Sequence, residues 1–203
     1  GGHYIGDTRL IDPSVFTRKQ FGGFEAGYMY NNTNGSIYPT RGFVFNLGGG
    51  GLKNLSDTGS SFAKINSSAA VYLPVNKAFT FAMRVGGATV FGDPDFYHLN
   101  RLGGNMELRG FERERFYGKS VFYTNTEIRW LTNTHNYLFN GKIGLVGFYD
   151  VGRVWMPREK SSLWHNGYGT GLVLIPFNKV TLTAMYGISK EGDNLFFRAE
   201  MFF

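Results

Sequence analysis

The sequence of 203 residues contains no cysteine. A disulfide framework and a thiolate metal site are both unavailable to it. It also has no run of ~18 apolar residues, which excludes a transmembrane helix. A membrane protein is not excluded, because the strands of a transmembrane barrel alternate and leave average hydropathy low. No block of lysine or arginine occurs; the net charge of +6 is spread along the chain. A nucleic-acid partner is therefore not expected. Gly48-Gly-Gly-Gly51 is not followed by Gly-Lys-Ser/Thr, so it is no phosphate loop. His3, His98, His135 and His165 are read as loop residues and form no Ser-His-Asp or His-x-x-x-His spacing with Asp93, Asp95, Ser161 or Ser162. No enzyme activity and no cofactor are expected. The chain opens Gly-Gly-His-Tyr-Ile-Gly-Asp, without a secretory signal pattern. It is expected to be a mature protein or a fragment of a longer one.

What the chain has in excess is aromatics and glycine: 20 Phe, 12 Tyr and 29 Gly. Both suit strands, tight turns and interfacial girdles. Residues 1–20 show no sustained period and read as a loop. Period-two runs then recur. Phe24, Ala26, Tyr28 and Tyr30 share one face, as do Phe43, Phe45 and Leu47. Alternation is clearest from Ala63 to Leu73, and it returns at Phe79–Val85 and Phe122–Trp130. Further strands fit 139–156, 167–176, 179–189 and 194–203. The total is about nine strands of ~9–14 residues, longer than the ~5–6 of soluble strands and near the ~9–11 of tilted membrane strands.

Connections alternate in length. Those at Pro74–Lys77, Asn133–Tyr137 and Pro176–Lys179 are short, whereas those around 54–60, 92–118, 156–166 and 189–194 are mostly longer. Outer-membrane barrels show that asymmetry, with short periplasmic turns and longer outer loops. Lys64, Arg84, Glu127, Arg129, Asp150, Arg198 and Glu200 fall mostly opposite the apolar stripes. In a barrel that polar face looks into a lumen; in a soluble sandwich the apolar stripe faces a core instead. The alternation alone does not separate the two, but strand length and loop asymmetry favour the membrane.

The longest connection, 92–119, carries Leu102-Gly-Gly-Asn-Met-Glu-Leu-Arg-Gly-Phe111. Gly103, Gly104 and Gly110 let such a loop turn and approach a wall closely. An arginine there, Arg109, is able to fold back onto a buried carboxylate, and Glu127 and Asp150 on the following strands are the candidates. A bidentate arginine–carboxylate pair would fix its orientation. The roles of Arg113 and Arg115 stay open, and Glu114 is expected to be solvated. The chain ends on Phe197, Ala199, Met201 and Phe203 at every second position.

The loop segment through Phe111, followed by Arg113, Arg115, Phe116 and Gly118 and by Asn125-Thr-Glu-Ile-Arg129, resembles the sixth-loop region of BamA/TamA-type outer-membrane assembly and translocation barrels, the bacterial surface antigen family. Tyr38-Pro-Thr-Arg-Gly42 is similar to that family's periplasmic turn. Phe148-Tyr-Asp-Val-Gly-Arg-Val-Trp155 is similar to its Phe-x-Asp-x-Gly strand. The terminal aromatic alternation resembles the β-signal read during assembly. The resemblance covers about residues 21–203.

It implies an all-β transmembrane antiparallel barrel of sixteen strands, of which this chain supplies the C-terminal half as a single domain, 1–203. Within it, 1–20 is an outer loop, 21–91 and 120–203 are strands, and 92–119 is inserted into the lumen. Gly103, Gly104, Arg109, Gly110, Phe111, Glu127 and Asp150 then form a loop-to-lumen network. The implied location is the outer membrane of a Gram-negative bacterium. The implied partners are outer-membrane lipid, client or passenger proteins, and the remaining barrel strands, from upstream or from another chain. An eight-strand closure over 41–203 and a pairing of two copies also stay open. The family's gating is attributed to weak pairing of first and last strands; the glycine kink of BamA is missing from 194–203. Protein insertion or translocation is the function implied. The alternatives are an anchor or export pore for a fused N-terminal enzyme, and a small porin or adhesin barrel.

Overall fold

The computed structural model describes residues 20–35, 37–55, 61–92, 94–104, 106–135, 140–157 and 162–201. Most of the loop 1–20, with His3, as well as Asp93, Ser161 and Phe203, lies outside the described residues. The period-two segments form one antiparallel sheet of nine strands, in the order β1-β2-β3-β4-β7-β8-β9-β10-β11. These are β1 (Phe21–Thr33), β2 (Gly42–Asn54), β3 (Phe62–Pro74), β4 (Phe79–Gly92), β7 (Ser120–His135), β8 (Asn140–Trp155), β9 (His165–Pro176), β10 (Val180–Ser189) and β11 (Gly192–Met201). Every sheet neighbour is the next long strand in the chain, so the sheet is a meander. Among the described residues β1 and β11 each pair with one neighbour only, which leaves both as edges.

The single excursion from the meander joins β4 to β7. It contains a 3-10 turn at Phe96–His98 and a ribbon of two three-residue strands, β5 (Asn100–Leu102) and β6 (Phe116–Gly118). The sequence presents this segment as one long loop; three residues are too few for a period to register. The β3–β4 and β9–β10 hairpins are tight. Asn76 accepts the N–H groups of Ala78 and Phe79 through its side-chain oxygen and closes the β3–β4 turn. At Pro176–Lys179 both central residues, Phe177 and Asn178, have φ near +55°, and Lys179 N–H returns to Pro176 C=O. That is the primed two-residue turn whose twist matches a hairpin. The expected longer connection at 189–194 is instead a hairpin with only Lys190 and Glu191 between its strands. Strand β11 consequently starts at Gly192, and His135 and His165 belong to strands rather than loops.

Register fixes the faces, because directly opposed residues in a ladder point the same way. One rung runs Asn31, Val44, Ala70, Arg84, Asn125, Asp150, Gly167, Ser189 and Gly192 across all nine strands. We call the face with Asp150 the inner face. The outer face shows Phe24, Tyr28, Leu47, Ile65, Ile128, Leu145, Leu172 and Phe197, all exposed. The inner face buries Thr80, Asn125, Asp150 and Thr183. A soluble sandwich would cover the apolar stripe with a second layer. Here the stripe is bare along the sheet, whereas soluble monomers rarely expose large contiguous apolar patches. Lipid is the solvent that accepts such a face.

Candidate functional site

Both ends of the β4–β7 excursion are pinned at the rim. Lys119 C=O accepts from Val90 N–H at 2.8 Å and from Asn100 Nδ2 at 2.7 Å, while Lys119 Nζ donates to Gly92 C=O at 2.6 Å. From there the loop turns back over the inner face. Leu102, Leu108 and Phe111 pack with Val121 of β7, flanked by Phe116, Tyr123 and Val154. Leu108 is 0% exposed. Burial of three large apolar side chains stabilises the folded-back path by roughly 1.5–3 kcal/mol each. Gly103 and Gly110 have φ of +126° and +94°. A Cβ at Gly103 would sit 2.5 Å from Glu112 C=O, and one at Gly110 would sit 2.8 Å from Ile188 C=O. Glycine is required at both for conformation and for space. Gly104, at φ +101°, closes a bridge to Leu108.

This path delivers Arg109, only 3% exposed, to the middle of the inner face. Its Nε donates to Asp150 Oδ2 at 2.7 Å and its Nη2 to Asp150 Oδ1 at 2.6 Å. The Arg109 backbone N–H donates to Asp150 Oδ2 as well, at 2.9 Å. Nη1 donates to Glu127 Oε1 and reaches Met185 Sδ at 3.6 Å. The guanidinium lies over the Phe148 ring, 3.9 Å from its centroid. Burial works against the charge of Arg109, but Asp150 and Glu127 outweigh it and raise its pKa. Asp150 is itself 0% exposed, so each charge needs the other.

The neighbouring contacts hold the loop rather than the arginine alone. Arg84 donates to Asn125 Oδ1 through Nε at 2.9 Å and to Met106 C=O. Asn125 Nδ2 donates onward to Glu107 C=O at 2.9 Å. Burial raises the Glu107 carboxyl above its usual range. Arg115 pairs with Glu191 of the β10–β11 hairpin at 2.7 Å, and Asn194 Nδ2 of β11 donates to Gly110 C=O at 3.1 Å. Glu114 is not free in solvent: Arg101 Nη1 donates to it at 2.6 Å. Arg113 is the most exposed of Arg113, Glu114 and Arg115, with Glu114 Oε1 at 3.8 Å.

The structure thus brings Gly103, Gly104, Arg109, Gly110 and Phe111 together with Glu127 and Asp150. Phe197, Ala199 and Met201 lie apart, on the outward side of β11. Gly167, Met185 and Asn194 were not singled out from sequence, and Asn125 and Phe148 were named only within family motifs, without a role at the site. Phe148 had a readable signal, since it stands two residues before Asp150 and so on its face. Gly167, Gly169 and Gly171 did too: a glycine at every second position bares one face to a close neighbour. A Cβ on Gly167 would meet Arg109 C=O at 1.8 Å.

The loop covers the β7–β11 half of the inner face. Beside β1–β4 it leaves a space of about 800 Å³, lined among others by Glu25, Lys64, Asn66, Ser68, Tyr97 and Glu107. No group of three His, Asp or Glu able to hold a metal occurs among the described residues.

Among solved structures, the fold is similar to the crystal structure of BamA from Haemophilus ducreyi lacking POTRA domains 1–3, with a TM-score of 0.70 and 19% identity. The likeness covers 89% of this chain and 42% of that one, so the chain spans less than half the length of that relative. A comparison with curated proteins found no match. The family model described as the Omp85 superfamily domain matches residues 19–180, which include the long loop, Glu127 and Asp150. A match over that much of the sequence, on a meander sheet with its apolar face outward, decides the family: the chain belongs to the Omp85 superfamily.

Proposed function

We propose that this chain is the C-terminal part of a sixteen-stranded barrel that inserts or translocates proteins at the outer membrane of a Gram-negative bacterium. Omp85 barrels sit in outer membranes and are non-enzymatic transporters and insertases. On this reading residues 1–203 form one domain, the inner face is the lumen wall, and residues 92–119 are the lumen-inserted loop. The terminal strand with Phe197, Ala199, Met201 and Phe203 is its assembly signal. Its partners are lipid, client or passenger proteins, and the strands that complete the barrel.

The observation that carries the reading is the fork of Arg109 on Asp150, with Glu127 at its side. The fork holds the folded-back loop in one orientation against the inner face. A loop that stays in a water-filled lumen beside a passing client needs such a fixed orientation. The chemistry offered to a client is backbone pairing. In lipid an unpaired strand edge costs several kcal/mol per open group, so an edge templates an incoming strand strongly.

The test is client insertion by the full-length protein in proteoliposomes, native against Arg109→Ala, with ion conductance recorded in parallel. A folded Arg109→Ala barrel with lowered insertion supports the proposal. Native insertion by that variant refutes the assigned role of the loop. Steady conductance with no client insertion by the native protein would assign it instead to the pore class.

A further inference from the structure

Glu127 has two carboxylate oxygens, and two different arginines take them. Oε1 accepts from Arg109, and Oε2 accepts from Arg129 at 2.7 Å. Arg129 lies two residues further along β7 on the same face. Its Nη1 donates to Pro39 C=O at 3.1 Å. Its guanidinium lies 4.1 Å from the centroid of the Tyr38 ring and 5.3 Å from that of Tyr72. Tyr38 and Pro39 belong to the connection between β1 and β2, which stands at the rim opposite the long loop, since β4 runs from one rim to the other.

Tyr38 does not stay near its own strands. It packs against the cluster of Val146, Phe148, Val173, Ile175 and Met185 on β8, β9 and β10. Arg109 rests on two members of that cluster, Phe148 and Met185. Loop and turn therefore enter the inner face from opposite rims and meet on one carboxylate and one apolar cluster. The charges balance only as a set: Arg109 and Arg129 against Glu127 and Asp150.

We infer that Arg129 is a positioning residue that couples the β1–β2 turn to the long loop. Tyr38 and Pro39 hold Arg129, Arg129 holds Glu127, and Glu127 holds Arg109. Displacing the turn at one rim thereby loosens the loop at the other, and by reciprocity a displaced loop loosens the turn. Removing Arg129 strands the second oxygen of Glu127 and leaves a net negative charge in the buried set, which relaxes by letting water in beside Arg109. Within the proposed function, a protein or domain that pushes on the turn would set the state of the loop. The direction of that signal across the membrane rests on the proposed function; the contacts do not.

The experiment is hydrogen exchange of peptides spanning residues 102–111 in the full-length protein in bilayers, where the Arg109 amide reports the loop directly. Every variant is first checked for folding by heat-modifiable gel migration. Arg129→Gln and Tyr38→Ala each speed exchange on the order of tenfold, the scale of coupling between packed sites. Together they exceed the larger single effect only slightly, since they act through one path. Lys64→Gln, on the same face but outside this path, exchanges at the native rate. If Arg129→Gln does not fold, Tyr38→Ala carries the test alone. Native exchange in Tyr38→Ala or in Arg129→Gln, with fast exchange in Arg109→Ala, overturns the coupling and leaves the loop lock standing. Native exchange in Arg109→Ala as well overturns the lock itself.

Discussion

Replacing Arg109 by methionine isolates the charge of the lock, because methionine keeps an apolar stem against Phe148 and Met185. Three side-chain hydrogen bonds to two carboxylates disappear. Bonds to charged groups contribute ~1.5–3 kcal/mol each, so a naive sum reaches ~5–9 kcal/mol. The structure lowers that figure in two ways. Asp150 still accepts the backbone N–H of residue 109, and Glu127 still has Arg129. What stays is one carboxylate, 0% exposed, without its cation. Breaking a buried pair of this kind costs ~3–5 kcal/mol, and that is the expected loss. In urea unfolding from lipid vesicles, with m of ~2–3 kcal/mol/M, the midpoint falls by ~1–2.5 M. Asp150→Asn on top of Arg109→Met removes the stranded charge, so the double variant recovers ~1–3 kcal/mol relative to additivity. A midpoint within ~0.2 M of native for Arg109→Met, about 0.5 kcal/mol at that m, refutes the reasoning. So does strict additivity, because both say that the carboxylate had water or another cation all along.

Three further outcomes follow from individual positions. Gly167→Ala places a Cβ against the Arg109 carbonyl and costs at least ~1–3 kcal/mol by overpacking, whereas Gly147→Ala, with nothing within 4 Å of its Cβ, leaves the same midpoint unchanged. Leu172→Arg on the outward face, 63% exposed, lowers the folded fraction in vesicles by ~2–4 kcal/mol if it lies near the midplane, while Asn66→Arg on the inner face is tolerated; equal losses would mean that the outward face does not meet lipid. Burial pushes the Tyr38 phenol up to about 12 from 10.0. A pKa raised on folding gives stability that is whole below the unfolded value and lost as pH rises through the folded one, so ~2–3 kcal/mol fades between pH 10 and 12. Tyr38→Phe, followed by alkaline unfolding, abolishes that fade.

The strands were legible because a half-lipid, half-polar environment writes its period directly into the chain: Phe24 to Tyr30 and Ala63 to Leu73 could hardly be anything else. Errors collected where the period is too short or is overridden. The ribbon β5–β6 has three residues per strand, less than any alternation needs. Gly192 and Asp193 read as turn residues, yet they open β11, since the hairpin needs only Lys190 and Glu191 to reverse. At the site, Arg109, Glu127 and Asp150 stood out because a charge on a glycine-rich loop beside charged strands asks for a partner. Arg129 and Tyr38 did not pair on paper. They lie 91 positions apart, in a turn and a strand that the meander separates by three other strands, β2, β3 and β4. Only the folding of a turn back under its own sheet joins them, and no local pattern encodes that. The same limit explains Gly167, Gly169 and Gly171. Their spacing announces that something comes close to β9, but that the something is the carbonyl of Arg109 is a fact of the loop. A lock built between remote segments is thus half visible in sequence: the groups that need partners show themselves, and the partners are chosen by the path of the chain.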